Sequence, residues 1–361
     1  MKPKSVTLYD VAEYAGVSYQ TVSRVINQAS HVSAKTRLKV EAAMTALNYV
    51  PNRVAQQLAG KLSQTIGLAT TNLSLHAPSQ IVAAIKTQAG KMNFNVVISM
   101  VEQPGLAACK AAVNSLLSQR VDGLIVNIPL ENAEAQAVQN SCANVPALFL
   151  DVSPDLDANT IIFDPYEGAR LGVEHLIMLG HQRIALLNGP LTSVSARLRF
   201  EGWKQTLGAH RLDAVAIMEG DWSSLSGYEQ VSRLLREGKT PEGIIVANDQ
   251  MALGALRALS EQGLGVPADV SVVGYDDTED SACFIPPLTT IKQDFRNLGK
   301  ASVNRLVELI HQPDTPPEPQ ILPVALVERK TTAAPGGNVP SAQALADALT
   351  ALARQVGRLA R

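Results

Sequence analysis

The 361-residue chain is 46% hydrophobic, which suffices for a large core, and its length predicts two to three domains. The formal net charge of −2 conceals an asymmetry, because residues 1–61 contain eight Lys or Arg against three Asp or Glu and the remainder is acidic. A basic N-terminal region joined to an acidic body indicates a polyanion partner for that region alone.

Composition also bears on location. The N-terminus shows no apolar signal sequence, and polar residues interrupt the longest uncharged run, so we expect no membrane span. Cys109, Cys142 and Cys283 lie far apart without metal-ligand spacing, which is typical of free, buried thiols in a reducing compartment. The composition therefore predicts a cytoplasmic protein.

The first predicted elements are two short helices separated by a turn, between Leu8 and Gln28. Thr7 can cap the first helix with Asp10 three residues later, and Gly16 ends it. A second helix begins after Ser18, whose hydroxyl can cap it. Its inward face would be Val22, Val25 and Ile26.

The outward face of this second helix is polar and includes Tyr19, Gln20, Ser23, Arg24 and Asn27. Arg can bond two acceptors on guanine, and Gln or Asn can pair with adenine in the major groove. Residues near the N-terminus of the second helix reach deepest in a helix-turn-helix. The stripe therefore suits DNA, whereas the motif taken alone is equally compatible with an ordinary solvated helix pair.

A third helix, capped by Ser33, would close a small core with Val40 and Ala43. After Pro51 comes a nine-residue amphipathic segment, RVAQQLAGK, which is too short to be a stable helix alone. We interpret it as a hinge that folds when something packs on it, with Leu58 as an apolar wedge for a minor groove. A plain linker is the alternative.

From about residue 65 apolar runs alternate with helical stretches, which is typical of parallel sheets covered by helices. One series of predicted strands covers 65–70, 95–100, 122–127, 145–150 and 160–163. A second series covers 183–188, 214–218, 243–248 and 269–275, and 288–291 returns afterwards. Two series in one core predict two doubly wound sheets with a cleft between them.

The pattern ends near residue 332 in a Gly/Pro-rich linker. Apolar residues then recur at heptad spacing, which predicts an oligomerisation helix over 341–361. A helix packed on its own core is the alternative. The seam consists of Leu345, Leu349, Leu352, Val356 and Leu359.

Ligands of doubly wound sheets bind beyond the carboxyl ends of the strands. The residues there are carboxylates, carboxamides and a hydroxyl, which suit a neutral polyhydroxylated ligand such as a sugar. They are Thr71, Asn127, Asp151, Asn248, Asp249 and Asp276.

Further groups complete this predicted site. Arg199, on a helix opened by Ser195, supplies a planar donor, and Trp222 and Phe295 can lie against the C–H face of a pyranose. No catalytic motif is present, and no cofactor or metal is implied. A glycosidase using Asp151 and Asp276 is a minor alternative, which an attached helix-turn-helix disfavours.

These features together resemble the LacI/GalR family of bacterial repressors over essentially the whole chain, and most closely its lactose-responsive members. The most specific stretches are LYDVAEYAGVSYQTVSRV, NYVPNRVAQQLAGK, LHAPSQIVAAIK, GPLTSVSARLR, EGDWS, VANDQMALGA, SVVGYDDTED and PPLTTIKQDF. The resemblance implies an α/β protein with an N-terminal three-helix helix-turn-helix headpiece, a hinge helix, a two-lobed core like periplasmic binding proteins and a C-terminal leucine-heptad helix.

The implied domains are a headpiece over 1–50, a hinge over 51–62, a sugar-binding and dimerisation core over 63–331, a linker over 332–340 and an oligomerisation helix over 341–361. The N-lobe of the core would comprise about 63–163 and 293–322, and the C-lobe about 164–292 and 323–331. The implied DNA-contacting residues are Leu8, Tyr19, Gln20, Ser23, Arg24, Asn27, His31 and Leu58. The implied sugar pocket is Leu75, Ala77, Pro78, Ile81, Asn127, Asp151, Ser195, Arg199, Trp222, Asn248, Asp276, Gln293 and Phe295.

The resemblance further implies an allosteric repressor, nucleoid-associated and not an enzyme, in which a galactoside releases operator DNA from a homodimer or a dimer of dimers. Thr71, Ile128 and Gln103 depart from the lactose-responsive pattern, which bears on ligand preference and coupling. A relative that responds to another sugar or to a nucleobase is the alternative regulator. A sugar-binding module resembling periplasmic receptors is disfavoured by the headpiece.

Overall fold

The computed structural model describes residues 6–26, 31–50, 62–142 and 144–336. The chain divides into two compact units, Met1–Ser63 and Gln64–Arg361. Asn27, Leu58, residues 51–61 of the hinge predicted over 51–62, and the predicted tail over 341–361 lie outside the described residues.

The first unit contains three helices, α1 (Leu8–Ala15), α2 (Tyr19–Ile26) and α3 (Ala34–Ala46). Helix α1 begins with a reciprocal capping box of Thr7 and Asp10 and ends at Gly16 in the left-handed conformation. Ser18 Oγ accepts a hydrogen bond from the N–H of Thr21 at 3.1 Å, and Ser33 caps α3. The buried core consists of Val11, Ala12, Ala15, Val22, Val25, Val40 and Ala43.

The second unit contains two six-stranded sheets. The first has the order β11-β5-β4-β3-β1-β2, with every neighbouring pair parallel. Helices α4 and α11 cover one face, and α5 and α6 cover the other. The strands are β1 (Thr65–Thr70), β2 (Asn95–Met100), β3 (Gly123–Asn127), β4 (Ala147–Phe149), β5 (Thr160–Phe163) and β11 (Pro319–Leu322). The helices are α4 (His76–Lys91), α5 (Leu106–Ser118), α6 (Asn132–Ser141) and α11 (Phe295–His311).

The second sheet has the order β12-β10-β9-β8-β6-β7 and buries one apolar core. Helix α7 packs on α8, and α9 packs on α10. The strands are β6 (Ile184–Asn188), β7 (Ala216–Glu219), β8 (Gly243–Val246), β9 (Ser271–Asp276), β10 (Thr289–Lys292) and β12 (Ala325–Val327). The helices are α7 (Pro165–Met178), α8 (Val194–Ala209), α9 (Ser224–Arg236), α10 (Asp249–Glu261) and a short 3-10 helix (Glu279–Cys283). The helices packed on the two sheets fix the positions of the carboxyl ends of the strands in each sheet.

Strands β11 and β12 are additions to the predicted strands, and β12 runs antiparallel to β10 in a sheet predicted to be parallel. Both are short edge strands whose side chains are mostly exposed or half-buried, and their apolar runs, Ile321–Leu322 and Ala325–Val327, are shorter than those of the predicted buried strands. The prediction of three buried thiols is wrong for Cys283, which is exposed, whereas Cys109 and Cys142 are buried. Among the described residues, no helix has both the length and the apolar character needed to cross a membrane.

Helices α9 and α10 approach closely because small residues line their contact. A Cβ atom at Gly254 would overlap the carbonyl oxygen of Ser224. We expect Gly254→Ala to lower the free energy of unfolding by about 1–3 kcal/mol, the usual cost of overpacking, as measured by denaturant titration. Gly208, near the end of α8, has no heavy atom within 4 Å of such a Cβ, so Gly208→Ala is the matched control. It should be neutral or stabilising by up to about 1 kcal/mol. Equal effects at both sites would contradict this packing argument.

Candidate functional site

A cavity of about 520 Å³ lies between the carboxyl ends of the two sets of strands. Its lining combines polar groups that follow the strands with apolar residues from α4 and α11. Every residue predicted for the sugar pocket is part of this lining, so the structure brings the whole set together. The cavity is therefore the candidate ligand site.

Arg199, on α8, is buried at the centre of the site. Its Nη1 donates to the carbonyl oxygen of Ala247 at 2.6 Å, and its Nη2 donates to Oε1 of Gln293 at 3.2 Å. The guanidinium carbon lies 3.8 Å from the ring centroid of Tyr275, within the range of a cation–π contact. These contacts fix a planar donor against the cavity.

Asp276, the last residue of β9, faces this guanidinium. Its Oδ1 lies 4.0 Å from Nη2 of Arg199, beyond hydrogen-bond distance, and has no hydrogen-bond partner among the described residues. Burial raises the pKa of Asp276 to about 8, Arg199 opposes the rise, and the Asp249 carboxylate adds to it. A buried acceptor without a partner is an unfavourable group that a ligand hydroxyl can satisfy.

Asp151 lies on the wall formed by the first sheet. Burial raises its pKa to about 6, and Arg199 and the backbone N–H of Ser195 both oppose that rise. Ser195 belongs to the other lobe, so this contact spans the cleft. The Arg199 guanidinium thus interacts electrostatically with two carboxyl groups, that of Asp276 in its own lobe and that of Asp151 in the other.

Asp249, at the start of α10, is fully buried and organises the turn after Asp276. Its Oδ2 accepts from Thr278 N at 2.9 Å and from Ser281 Oγ at 2.6 Å, and its Oδ1 accepts from Thr290 Oγ1 at 2.7 Å. Because these bonds satisfy the carboxylate internally, Asp249 is a structural residue and is absent from the cavity lining. The sequence had placed it among the ligand groups.

Trp222 is held against the cavity by two close contacts. Its carbonyl oxygen accepts from Nδ2 of Asn248 at 3.0 Å, while Oδ1 of Asn248 caps α10 by accepting from Met251 N at 2.9 Å. Gly189 allows the indole to approach its backbone, since a Cβ there would overlap the ring. Trp222 itself has φ 75, so its indole is positioned by a strained backbone that these contacts support.

The opposite wall is apolar. The first turns of α4 present Leu75, Ala77, Pro78 and Ile81. Phe295 begins α11 and packs edge-on against Phe163 with ring centroids 5.7 Å apart. A polar end and an apolar face in one cavity match the two-sided surface of a sugar ring.

The structure corrects one local prediction and extends the site. Helix α8 begins at Val194 and is capped by Ser193, so Ser195 does not open it, because the Ser193 hydroxyl is the one that reaches Ala196 N. Thr71 and Gln103 line the cavity, whereas Ile128 is fully buried in the first lobe and does not. Sequence reasoning missed Asn72, Glu102, Asp221 and Gln250 in the lining. The strand-end rule could have found Glu102, which lies two residues past β2.

A second candidate surface lies on the first unit. Tyr19, Gln20 and Arg24 are exposed on α2, and Ser23 is half-buried beside them. The Tyr19 ring stacks on Tyr9 with centroids 4.8 Å apart, which restricts its orientation. Leu8 is half-buried against the core and His31 is exposed. Apart from Asn27, which lies outside the described residues, the polar stripe predicted for a major groove is present on a folded helix-turn-helix.

A helix-turn-helix unit joined to a two-lobed core around a polar cavity defines a class, that of ligand-responsive DNA-binding proteins. Residues 7–52 match the model for "Bacterial regulatory proteins, lacI family", and residues 173–332 match that for "Periplasmic binding protein-like domain". The lactose operon repressor of Escherichia coli (strain K12) is 65% identical over 99% of both chains, and that of Klebsiella pneumoniae is 44% identical over 92% of this chain and 93% of its own.

Solved structures agree with these sequence matches. The crystal structure of the Lac repressor dimer bound to operator and the anti-inducer ONPF superposes with a TM-score of 0.87 at 65% identity, covering 92% of this chain and 100% of its own. The chain therefore belongs to the lacI family of bacterial regulatory proteins.

The buried carboxyl of Asp276 predicts a pH-dependent stability. Its folded-state pKa of about 8 exceeds the unfolded value of about 3.9, so the unfolded state releases its proton first as the pH rises. This group therefore destabilises the fold progressively between about pH 4 and pH 8, and fully above that range. We expect Asp276→Asn to raise the Tm more at pH 8.5 than at pH 5.

Scanning fluorimetry of the ligand-free chain across this pH range measures that difference. Asp213 is an exposed carboxylate on the same lobe, and Asp213→Asn is expected to keep the pH profile of the parent. A Tm difference that stays constant with pH in Asp276→Asn would show that the carboxyl titrates normally.

Proposed function

We propose that this protein is an allosteric transcriptional repressor of lactose-utilisation genes, which binds a near-palindromic operator and releases it when a galactoside occupies the cleft. The observation that carries the proposal is the convergence of the predicted sugar-binding residues on one cavity in a chain 65% identical to a lactose operon repressor. A cytoplasmic, nucleoid-associated location and a function without catalysis or cofactor belong to the same proposal.

The DNA-binding assignment rests on α2. Exposed Tyr19, Gln20 and Arg24 read base edges in the major groove, and Ser23 supports them. Leu8, Asn27 and His31 contribute contacts to bases or phosphates, and Leu58 inserts into the minor groove. Two headpieces of a dimer meet two half-sites about one helical turn apart, because a two-fold protein requires two-fold DNA.

The ligand assignment rests on the chemistry of the cavity. Asp276 Oδ1 is a buried acceptor without a partner, and Arg199 is a fixed donor 4.0 Å away, so neighbouring sugar hydroxyls satisfy both at once. Asn127, Asp151, Ser195, Asn248 and Gln293 add further donors and acceptors. Trp222 and Phe295 pack on the ring, while Leu75, Ala77, Pro78 and Ile81 take the apolar substituent. A Lac repressor structure 65% identical to this chain has been solved with ONPG bound.

The coupling between the two sites follows from the position of the cavity. Because its walls come from both lobes, a ligand favours one relative lobe orientation, and operator DNA favours another. Each ligand then weakens the binding of the other by the same factor.

The second candidate is a regulator of the same family that responds to a different sugar or to a nucleobase. It is favoured by Thr71 and Gln103, which depart from the lactose-responsive pattern and line the cavity.

A gel-shift titration on a symmetric lactose-type operator tests the proposal, with and without a non-hydrolysable thiogalactoside. We expect tight binding that the thiogalactoside releases, and an operator affinity that falls steeply with salt. Lac repressor is a standard example of that salt dependence, so we predict the direction only.

Arg199→Leu serves as the matched variant in this titration. Because it removes the donor fork, it should bind the operator normally and lose at least tenfold in thiogalactoside response. Operator binding that ignores the thiogalactoside in the parent chain would favour the second candidate. Loss of both activities in Arg199→Leu would make this residue structural.

The leucine-heptad tail is proposed to join two dimers, so that one molecule holds two operators and gains effective concentration. Its seam residues are Leu345, Leu349, Leu352, Val356 and Leu359. We expect deletion of 341–361 to halve the mass in sedimentation equilibrium while preserving binding to a single operator. An unchanged mass would refute the tail assignment.

A further inference from the structure

Gln250 and Arg197 of the second lobe each make a polar contact with the first lobe, in addition to the Asp151–Ser195 contact and the Arg199–Gln293 hydrogen bond. The backbone N–H of His76 donates to Oε1 of Gln250 at 3.0 Å, and Nη2 of Arg197 lies 2.7 Å from Oε1 of Glu131. His76 and Glu131 belong to the lobe of the first sheet, and Gln250 and Arg197 belong to the lobe of the second. Both contacts therefore span the cleft.

The first contact completes a helix end. Helix α4 begins at His76, and its N-cap residue Leu75 has no side chain that can accept a hydrogen bond. Helix N-termini leave backbone donors that need such an acceptor, and the usual N-cap side chain contributes about 1 kcal/mol. Gln250 of the opposite lobe provides that acceptor. The capped turn leads into the apolar wall of the cavity, which Gln250 also lines.

The second contact also involves a helix end. Glu131 is the N-cap of α6, where it forms a capping box with Glu134. Arg197 projects from α8 in the turn that also positions Ser195 and Arg199. The ion pair is partly exposed, so its own contribution is small, at most about 1 kcal/mol. The position of this ion pair makes it important, because it joins α8, the helix that carries the Arg199 guanidinium, to the opposite lobe.

We propose that Gln250 and Arg197 are positioning residues that form a polar clasp across the cleft, with His76 and Glu131 as their partners. The clasp stabilises the lobe orientation in which both walls of the cavity face one ligand. A ligand that contacts both lobes binds best to that orientation, so loss of either contact weakens ligand binding. The inference rests on the proposed function only for the identity of the ligand.

Calorimetric titration of the full chain with isopropyl thiogalactoside tests the ion pair. We expect Arg197→Glu and Glu131→Arg each to raise the Kd about threefold to tenfold, and the charge-swapped double variant to return within about twofold of the parent. Lys239→Glu breaks an exposed ion pair with Glu237 inside one lobe and should leave the Kd unchanged. Unchanged single variants, or a double variant as weak as the worse single one, would overturn the role of the pair.

A conservative replacement of Gln250 distinguishes loss of the cap on α4 from a general effect of mutating this residue. Gln250→Glu retains an acceptor at a helix N-terminus, where negative charge is favourable, and should keep the amide protection of the parent over 76–81 in the ligand-free chain. Gln250→Leu removes the acceptor, so it should lose that protection and raise the Kd about threefold to tenfold, with only a small fall in Tm in the absence of ligand, because one cap contributes about 1 kcal/mol. Equal amide protection over 76–81 in both replacements would overturn the role of Gln250.

Hydrogen exchange of the ligand-free chain provides a measurement that is independent of ligand identity. The clasp predicts faster amide exchange over 76–81 in Gln250→Leu and over 132–135 in Arg197→Glu, relative to Lys239→Glu. If the parent binds no thiogalactoside but these segments lose protection, the galactoside assignment fails and the clasp stands. Unchanged exchange in both variants overturns the clasp, whatever the ligand is.

Discussion

The buried guanidinium of Arg199 is the interaction on which the ligand site depends. It contacts the end of one strand through the Ala247 carbonyl, the next strand through the Tyr275 ring, and a segment between the lobes through Gln293. A buried charge is costly unless its surroundings are arranged for it. Burial also raises the pKa of the neighbouring Asp276 carboxyl, and Arg199 opposes that rise. The Arg199 side chain thus contacts two neighbouring strand ends of the second lobe and Gln293.

Backbone strain is concentrated around the same group. Trp222, Asp276 and Asp277 all have positive φ values, which non-glycine residues rarely adopt. Surrounding contacts hold two of them, since Asn248 bonds the Trp222 carbonyl and Arg329 donates to Asp277 Oδ1 at 2.6 Å. Strain of this kind persists only where neighbouring structure over-determines it, and it is common at ligand sites. The apolar core of the second lobe therefore provides the folding free energy that maintains this strained backbone at the site.

The sequence predicted the parts of the fold that depend on local chemistry. The capping box of Thr7 and the buried central strands follow from residue type and periodicity, and both are present. The strand-end rule placed Asn127, Asp151, Asn248 and Asp276 around one cavity. The apolar wall from α4 came only from family resemblance, because nothing in the periodicity of that helix distinguishes a cavity wall from a core face.

The remaining features depend on long-range contacts. The antiparallel strand β12 has an apolar run of only three residues, Ala325–Val327, and pairs with the edge that β10 offers it. Asp249 had the same residue type and position as the ligand groups, yet hydroxyls from Ser281 and Thr290 satisfy it internally. Gln250 is separated from the helix it caps by 174 residues, so no local pattern reveals the bond. Such pairs become visible only when both lobes are seen together.

The magnitudes of these interactions are suited to a switch. A coupling of about 1–3 kcal/mol is typical of allosteric proteins. The contacts that join the lobes are single hydrogen bonds and one partly exposed ion pair, each worth about 1 kcal/mol, so a few of them set an equilibrium of that size without locking it. A continuous apolar interface between the lobes would be far stronger and would resist ligand and DNA alike. The cavity thus has a fixed geometry and a buried acceptor without a partner, whereas the contacts between the lobes are weak. This combination suits the proposed switch, in which a small neutral ligand changes the balance between two lobe orientations.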